Sequence, residues 1–214
     1  MTPAPPPLVA LTPGELEGAR AVEGLVDAAR RAFSAGLPGL MLREPKLDDR
    51  NFTEVAGRLV ELAHDFGGRW LGVHDRVHVA LATGADGVHL GFRSMTPGAV
   101  RELVGEGLTV GFSAHAGDDE QAFKGADYIT FGPVRETPSK GGWLEPTGFE
   151  GLGEAAARTS VPVHALGGLR PEDVSLALNA GAAGVWVLSG ILCAEDVGAA
   201  TAAYLAAVVA EEGA

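Results

Sequence analysis

The chain has 214 residues, 46% of them hydrophobic and 21% charged, with 28 acidic against 16 Lys and Arg side chains and a formal net charge of -12. That length suits one domain with a large core, and that charge argues against nucleic acid or an anionic membrane as a partner. No apolar run approaches the roughly 20 residues of a membrane span, and the single Cys193 excludes an internal disulfide and suits a reducing cytoplasm.

The first segment, Met1-Thr2-Pro3-Ala4-Pro5-Pro6-Pro7, lacks the basic flank and apolar core of a signal peptide. It is expected to be a disordered proline-rich leader to a single domain over residues 8–214. Short apolar runs then alternate with helical patterns. The expected strands are Leu8–Leu11, Gly39–Arg43, Trp70–His74, Gly87–Leu90, Thr109–Ser113, Tyr128–Phe131, Val163–Leu166 and Gly184–Leu188. Their apolar character is continuous rather than alternating, as buried parallel strands require. Helical stretches are expected at Ala21–Ala35, Asp48–Phe66, Pro97–Val104, Pro171–Ala180 and Asp196–Ala210. Thr96-Pro97 and Arg170-Pro171 place proline near a helix start, and Gly36 and Gly181 follow helix ends. The stretch from Phe131 to Glu150 reads as one long unpatterned loop.

Eight such units predict a small (β/α)₈ TIM barrel. The rival, an open doubly wound sheet, should carry a glycine-rich nucleotide fingerprint after its first strand, and Leu11-Thr12-Pro13-Gly14 offers none. A weak repeat, Gly-Ala-Asp-Gly-Val at Gly84, Gly-Ala-Asp-Tyr-Ile at Gly125 and Gly-Ala-Ala-Gly-Val at Gly181, precedes strands four, six and eight and reads as a tight turn into the barrel.

In a barrel, strand C-termini converge on one mouth. Gly167-Gly168 after strand seven and Ser189-Gly190 after strand eight are small residues, the second pair leading into a helical segment at Ile191, and they predict a phosphate held by backbone N–H groups. Arg43, Lys46, Arg76, Arg93, Arg135 and Lys140 add cations to the mouth loops of an acidic protein. His115, two residues after Ser113 at the end of strand five, suits proton transfer near neutral pH. His74 and His89 weigh more toward structural roles, and His64, His78 and His164 read as structural or surface residues. Metal ligation is a weak signal. Asp75 is the candidate carboxylate for Mg²⁺, Glu44 stands among cations, and Cys193 has no partner at zinc-ligand spacing.

The ordered set Leu42-Arg43-Glu44, His74-Asp75-Arg76-Val77, Gly84 to Gly91, Gly111-Phe112-Ser113-Ala114-His115, Asp127 to Val134, Glu136-Thr137-Pro138-Ser139-Lys140, Val161 to Gly168 and Leu188-Ser189-Gly190-Ile191 resembles the thiamine phosphate synthase and TenI superfamily, over about Leu8 to Val209. The resemblance implies thiamine biosynthesis and a phosphorylated thiazole as ligand. One branch condenses a pyrimidine pyrophosphate with a thiazole phosphate, using Mg²⁺ held by two aspartates. The TenI branch is similar to a metal-free thiazole tautomerase whose proton shuttle falls on His115. The resemblance also implies substrate contacts from Arg43, Lys46, His74, Ser113, Thr137, Ser139 and Lys140, and phosphate contacts from Gly167, Gly168, Ser189 and Gly190.

Departures from the synthase pattern shape the expectation. Met41 stands where synthases resemble a glutamine, Lys46 lies one residue late, His74 replaces the asparagine of Asn-Asp-Arg, and Ser94 replaces the second metal aspartate. The pyrimidine and metal side is eroded while the thiazole side is kept. The expected activity is therefore the tautomerase, with no metal cofactor. The synthase, which would need Mg²⁺, is the alternative, and a silent thiamine-precursor-binding regulator is the second. A homo-oligomer is plausible by analogy with the family.

Overall fold

In a computed structural model, which describes residues 4–137 and 145–212, eight parallel strands close on themselves in chain order. They are β1 (Leu8–Leu11), β2 (Gly39–Leu42), β3 (Trp70–His74), β4 (Gly87–Leu90), β5 (Thr109–Ala114), β6 (Tyr128–Phe131), β7 (Val163–Leu166) and β8 (Gly184–Val187). The ring closes where β8 pairs with β1, through Leu8↔Val185, Val9↔Trp186 and Ala10↔Val187. The TIM barrel expected from the pattern is the fold observed, and its strands depart from expectation by one residue at the ends of β2, β5 and β8.

Side-chain parity divides each strand between two cores. Leu8, Ala10, Leu40, Leu42, Leu71, Val73, Val88, Leu90, Val110, Ile129, Val163 and Val185 face outward and join one large cluster with the helices. Inside the barrel a second cluster holds Val9, Leu11, Met41, Trp70, Tyr128 and Trp186. The inward glycines make room for these large rings. At Gly111 a Cβ would fall on the Tyr128 ring, and at Gly72 on Met41 and Trp70.

The surrounding helices are α1 (Ala19–Ser34), α2 (Asp49–Asp65), α3 (Val77–Thr83), α4 (Pro97–Val104), α5 (Gly148–Arg158), α6 (Val174–Asn179), α7 (Ser189–Leu192) and α8 (Val197–Glu212). The Asp48 carboxylate accepts the Asn51 N–H at 2.8 Å and starts α2, and the Thr96 hydroxyl accepts the Ala99 N–H at 3.3 Å ahead of Pro97 in α4. Two expectations are corrected. The loop after β6 ends at Thr147, because α5 begins at Gly148. The stretch from Pro171 opens as a 3₁₀ turn, because the Asp173 carboxylate turns back to accept the Arg170 N–H at 3.1 Å. Between β5 and β6 the chain makes turns instead of a helix.

Ahead of β1, Pro5 is buried, Pro6 lies against Gly39 of β2, and the Pro7 carbonyl accepts the Val185 N–H at 2.7 Å. Among the described residues no helix is long and apolar enough to cross a membrane.

Candidate active site at the barrel mouth

Four polar residues on inward strand positions build the floor of the mouth: His74 on β3, His89 on β4, Ser113 on β5 and Thr130 on β6. The register sets His74 beside His89 and Ser113 beside Thr130. His89 is the centre of this floor. Its Nδ1 lies 3.2 Å from the Tyr128 hydroxyl, and its Nε2 lies 2.9 Å from Ser113 Oγ and 3.2 Å from Thr130 Oγ1. Burial holds the His89 ring neutral, its pKa well below the usual histidine range, with His74 and His164 adding to the effect. His74 is pushed down to about 4, first by burial and then by the Arg43 guanidinium. His164, deeper in the barrel, is pushed to about 4 by burial alone, and among the described residues its Nδ1 and the Trp186 Nε1 have no hydrogen-bond partner. The signal for this network was in the sequence: His89 and Thr130 share the parity of His74 and Ser113 in strands otherwise apolar on that face. The sequence weighs His89 toward a structural role, and the ring lies buried among these strand residues.

On the β1–β3 side, ionic and backbone bonds lock the loops together. Glu44 is 1% exposed, and its two oxygens accept the Gly14 N–H at 3.0 Å and the Leu16 N–H at 2.9 Å, stapling the β2 loop to the β1 loop. The Arg43 N–H donates to Thr12 Oγ1 at 2.8 Å. Lys46 is exposed and paired with Glu15 at 2.7 Å and Glu17 at 3.1 Å. Arg76 lies over the Phe52 ring at 4.1 Å, pairs with Asp49 at 2.8 Å and donates to the Leu47 carbonyl at 2.5 Å. On this side two of the expected mouth cations, Lys46 and Arg76, thus meet carboxylates of the protein itself.

Asp75 follows β3 directly with φ +69°, a left-handed conformation uncommon outside glycine, and is exposed. Across from it, Ser94 Oγ accepts the Gly91 N–H at 2.8 Å and so closes the turn after β4. As a test of Mg²⁺, these groups offer one carboxylate. Both Glu44 oxygens are bound to backbone amides, and among the described residues no three His, Cys, Asp or Glu side chains gather as a metal site. A resident Mg²⁺ cage does not fit, whereas an ion carried in on phosphate oxygens needs only one or two protein carboxylates.

His115 lies beyond the end of β5, where its own N–H donates to Asp118 Oδ2 at 2.8 Å and its Nδ1 stands 3.8 Å from that oxygen. Ala114, His115, Phe123, Ile129 and Phe131 line a cavity of about 520 Å³ together with Gly151, Glu154 and Ala155 of α5. Ala114, Ile129 and Phe131 point outward from the barrel, so this cavity lies between the barrel wall and α5. The expected base borders it and takes no part in the hydrogen bonds around His89.

On the β6–β8 side, Gly167 and Gly168 have φ +106° and +68°, and each packs against the loop after β6. A Cβ on Gly167 would meet Pro133, and one on Gly168 would meet the Glu136 carbonyl. Arg135 is held here by the buried Asp173 at 2.7 Å and by the Phe149 ring at 4.9 Å. Gly168, Ser189 and Gly190 are exposed, with Ser189-Gly190 opening α7 and Gly190 close under the Tyr204 hydroxyl. The structure therefore brings together at the mouth Arg43, His74, Ser113, Gly168, Ser189 and Gly190. Thr137 closes the described part of the loop after β6, and Ser139 and Lys140 lie outside the described residues.

A putative thiamine-phosphate synthase of Geobacter sulfurreducens is 42% identical over 174 residues, covering 80% of this chain and 81% of the relative. A thiamine-phosphate synthase of Shouchella clausii is 34% identical over 94% of this chain and 95% of its own. The solved thiamine phosphate pyrophosphorylase of Pyrococcus furiosus superposes with a TM-score of 0.81 at 30% identity, covering 95% of both chains. The sequence model described as thiamine monophosphate synthase, TMP-TENI, matches residues 8–191, and with the closed barrel and its glycine-lined mouth this places the chain in the TMP-TENI family.

Proposed function

We propose that the chain is an enzyme of thiamine biosynthesis that joins a pyrimidine pyrophosphate to a thiazole phosphate, forming thiamine phosphate and releasing pyrophosphate. The observation that carries this reading is likeness over nearly the full length to proteins named as thiamine-phosphate synthases, at 34% identity across 94% of the chain for one of them. Those names support the condensation better than the tautomerase expected from the sequence departures. In this reading the backbone amides of the exposed residues Gly168, Ser189 and Gly190 hold the thiazole phosphate, and the Ser113 hydroxyl meets a ring or carboxylate atom above the floor. Mg²⁺ belongs to the pyrophosphate substrate and shields its charge when bound, with Asp75 as the carboxylate that meets it. Arg43 adds positive charge where the diphosphate departs.

A second reading, the metal-free thiazole tautomerase, is favoured by two observations. Ser94 is used in a turn where the synthase pattern has an aspartate, and the fully buried Met41 puts a thioether among aromatic rings where that pattern has a pyrimidine-holding amide.

The purified protein should be assayed for both reactions with and without Mg²⁺. The expected result is Mg²⁺-dependent thiamine phosphate formation. Turnover of the thiazole tautomer without metal, and no thiamine phosphate, reassigns the chain to the second reading. His115→Gln sharpens the separation. Removal of a positioned proton shuttle lowers turnover by about 10²–10⁴-fold, so tautomerisation should fall by that order. The condensation asks for no proton at that position and should change far less.

A further inference from the structure

Glycine inside a helix is disfavoured against alanine, so its presence there needs a physical reason. Gly190 is the second residue of α7, and its backbone is not left-handed, so conformation does not supply one. Direction does. A Cβ on Gly190 would point into the layer between barrel and helices, 2.5 Å from the Tyr204 hydroxyl oxygen and 2.9 Å from Val187 Cγ1. Tyr204 stands on α8 and is 3% exposed.

The same hydroxyl donates to the Leu169 carbonyl at 2.8 Å, one residue past Gly168. One buried oxygen therefore touches both segments to which the phosphate is assigned, by a hydrogen bond on the β7 side and by packing on the β8 side. The other flank of the β7 loop is fixed by the loop after β6, where the Arg135 N–H donates to the Gly167 carbonyl at 3.0 Å and the Arg135 side chain is held by Asp173. Backbone donors hold an anion only within a narrow range of distance, so the gap between the β7 and β8 segments decides how well they do so together.

We propose that Tyr204 is a positioning residue that sets the gap between the Gly168 and Ser189-Gly190 backbones, and that Gly190 is a glycine to make room for this hydroxyl and not for the ligand. Without the hydroxyl the two segments lose their common tie, and a side chain on Gly190 drives them apart. The proposal rests on the proposed function only in placing the phosphate on this side of the mouth.

Calorimetric titration with the thiazole phosphate and with inorganic phosphate tests it. Tyr204→Phe should lower both affinities roughly three- to tenfold, the scale of one hydrogen bond. KM for the thiazole phosphate should rise while kcat changes little, as when binding common to ground and transition states is lost. Thr201→Val is the control: it removes another buried hydroxyl of α8, bonded to the Val197 carbonyl at 2.7 Å, and should leave both affinities unchanged. Gly190→Ala should weaken binding roughly tenfold through overpacking, and by clearly less when combined with Tyr204→Phe, which removes the atom in the way. A Tyr204→Phe variant that binds as the parent does overturns the proposal. So does an equal loss in Thr201→Val, an undiminished cost of Gly190→Ala in the double variant, or a parent that binds neither phosphate. Tyr204→Phe keeps the ring and its packing, and it decides alone if Gly190→Ala fails to fold. A parent that shows this pattern of binding but forms no thiamine phosphate counts against the proposed function alone.

Discussion

Acidification from pH 7 to about pH 4 is expected to strip this barrel of much of its stability, through histidines that fold neutral. An unfolded histidine titrates near 6.5, whereas His164 and His74 are each held at about 4 in the folded protein and His89 is shifted in the same direction. Between those values the unfolded chain binds protons that the folded chain refuses. Folding stability therefore rises with pH across the window and is lost as pH falls through it, levelling off below the folded value. Each histidine shifted by that amount contributes on the order of 3 kcal/mol, so two of them are a large share of the roughly 5–15 kcal/mol of a typical domain. Carboxylates such as Asp49, held below their ordinary range by Arg76, lose their contribution only at lower pH. Urea midpoints measured from pH 7 to 4.5 should drop steeply, and His164→Phe should flatten the slope. A level profile over that range would refute the burial of neutral histidines in the barrel.

Glu44→Ala should cost about 3–6 kcal/mol, from the loss of two charge-assisted hydrogen bonds worth roughly 1.5–3 kcal/mol each. The variant strands the Gly14 and Leu16 amides, which have the Glu44 oxygens as acceptors at 3.0 and 2.9 Å. The exposed Lys46 pairs with Glu15 and Glu17 bridge the same two loops but recover little, since surface ion pairs are worth about 0–1 kcal/mol. Glu44→Gln keeps one acceptor oxygen and turns an NH₂ group toward the other amide, so it should lose a substantial part of the same amount. Chemical denaturation of the three proteins measures this. An alanine variant within 1 kcal/mol of the parent would show that the staple does not hold the β1 and β2 loops.

The strands were legible because each is a short, mostly apolar run whose two faces are both covered, and glycines such as Gly36 and Gly181 marked where helices stop. α3 was not legible. Val77-His78-Val79-Ala80-Leu81-Ala82-Thr83 is short and β-branched, and Arg76 makes no side-chain cap. α5 was hidden by Gly148, Gly151 and Gly153, and Gly151 is required where a Cβ would strike Thr147 at 2.9 Å. At the site, the mouth residues could be found by their place after each strand, but their partners could not. Lys46 meets Glu15 and Glu44 meets Gly14 across a whole βα unit, and no local pattern announces such pairings. Parity within the strands was the one signal that reached the His89 floor.

The seam between β1 and β8 has a consequence for how the protein is made. Leu8 emerges from the ribosome well before its partner Val185, with six other strands between them. Until then the sheet stays open, with β1 and the newest strand as bare edges able to pair with other nascent chains. Contacts between such distant segments are the slowest to form. Pro6 and Pro7 stand at the entry to that first edge, and a proline offers no amide hydrogen to an invading strand. The Pro7 carbonyl is left ready for the Val185 amide, so the leader blunts the edge during synthesis and fastens it when the last strand arrives.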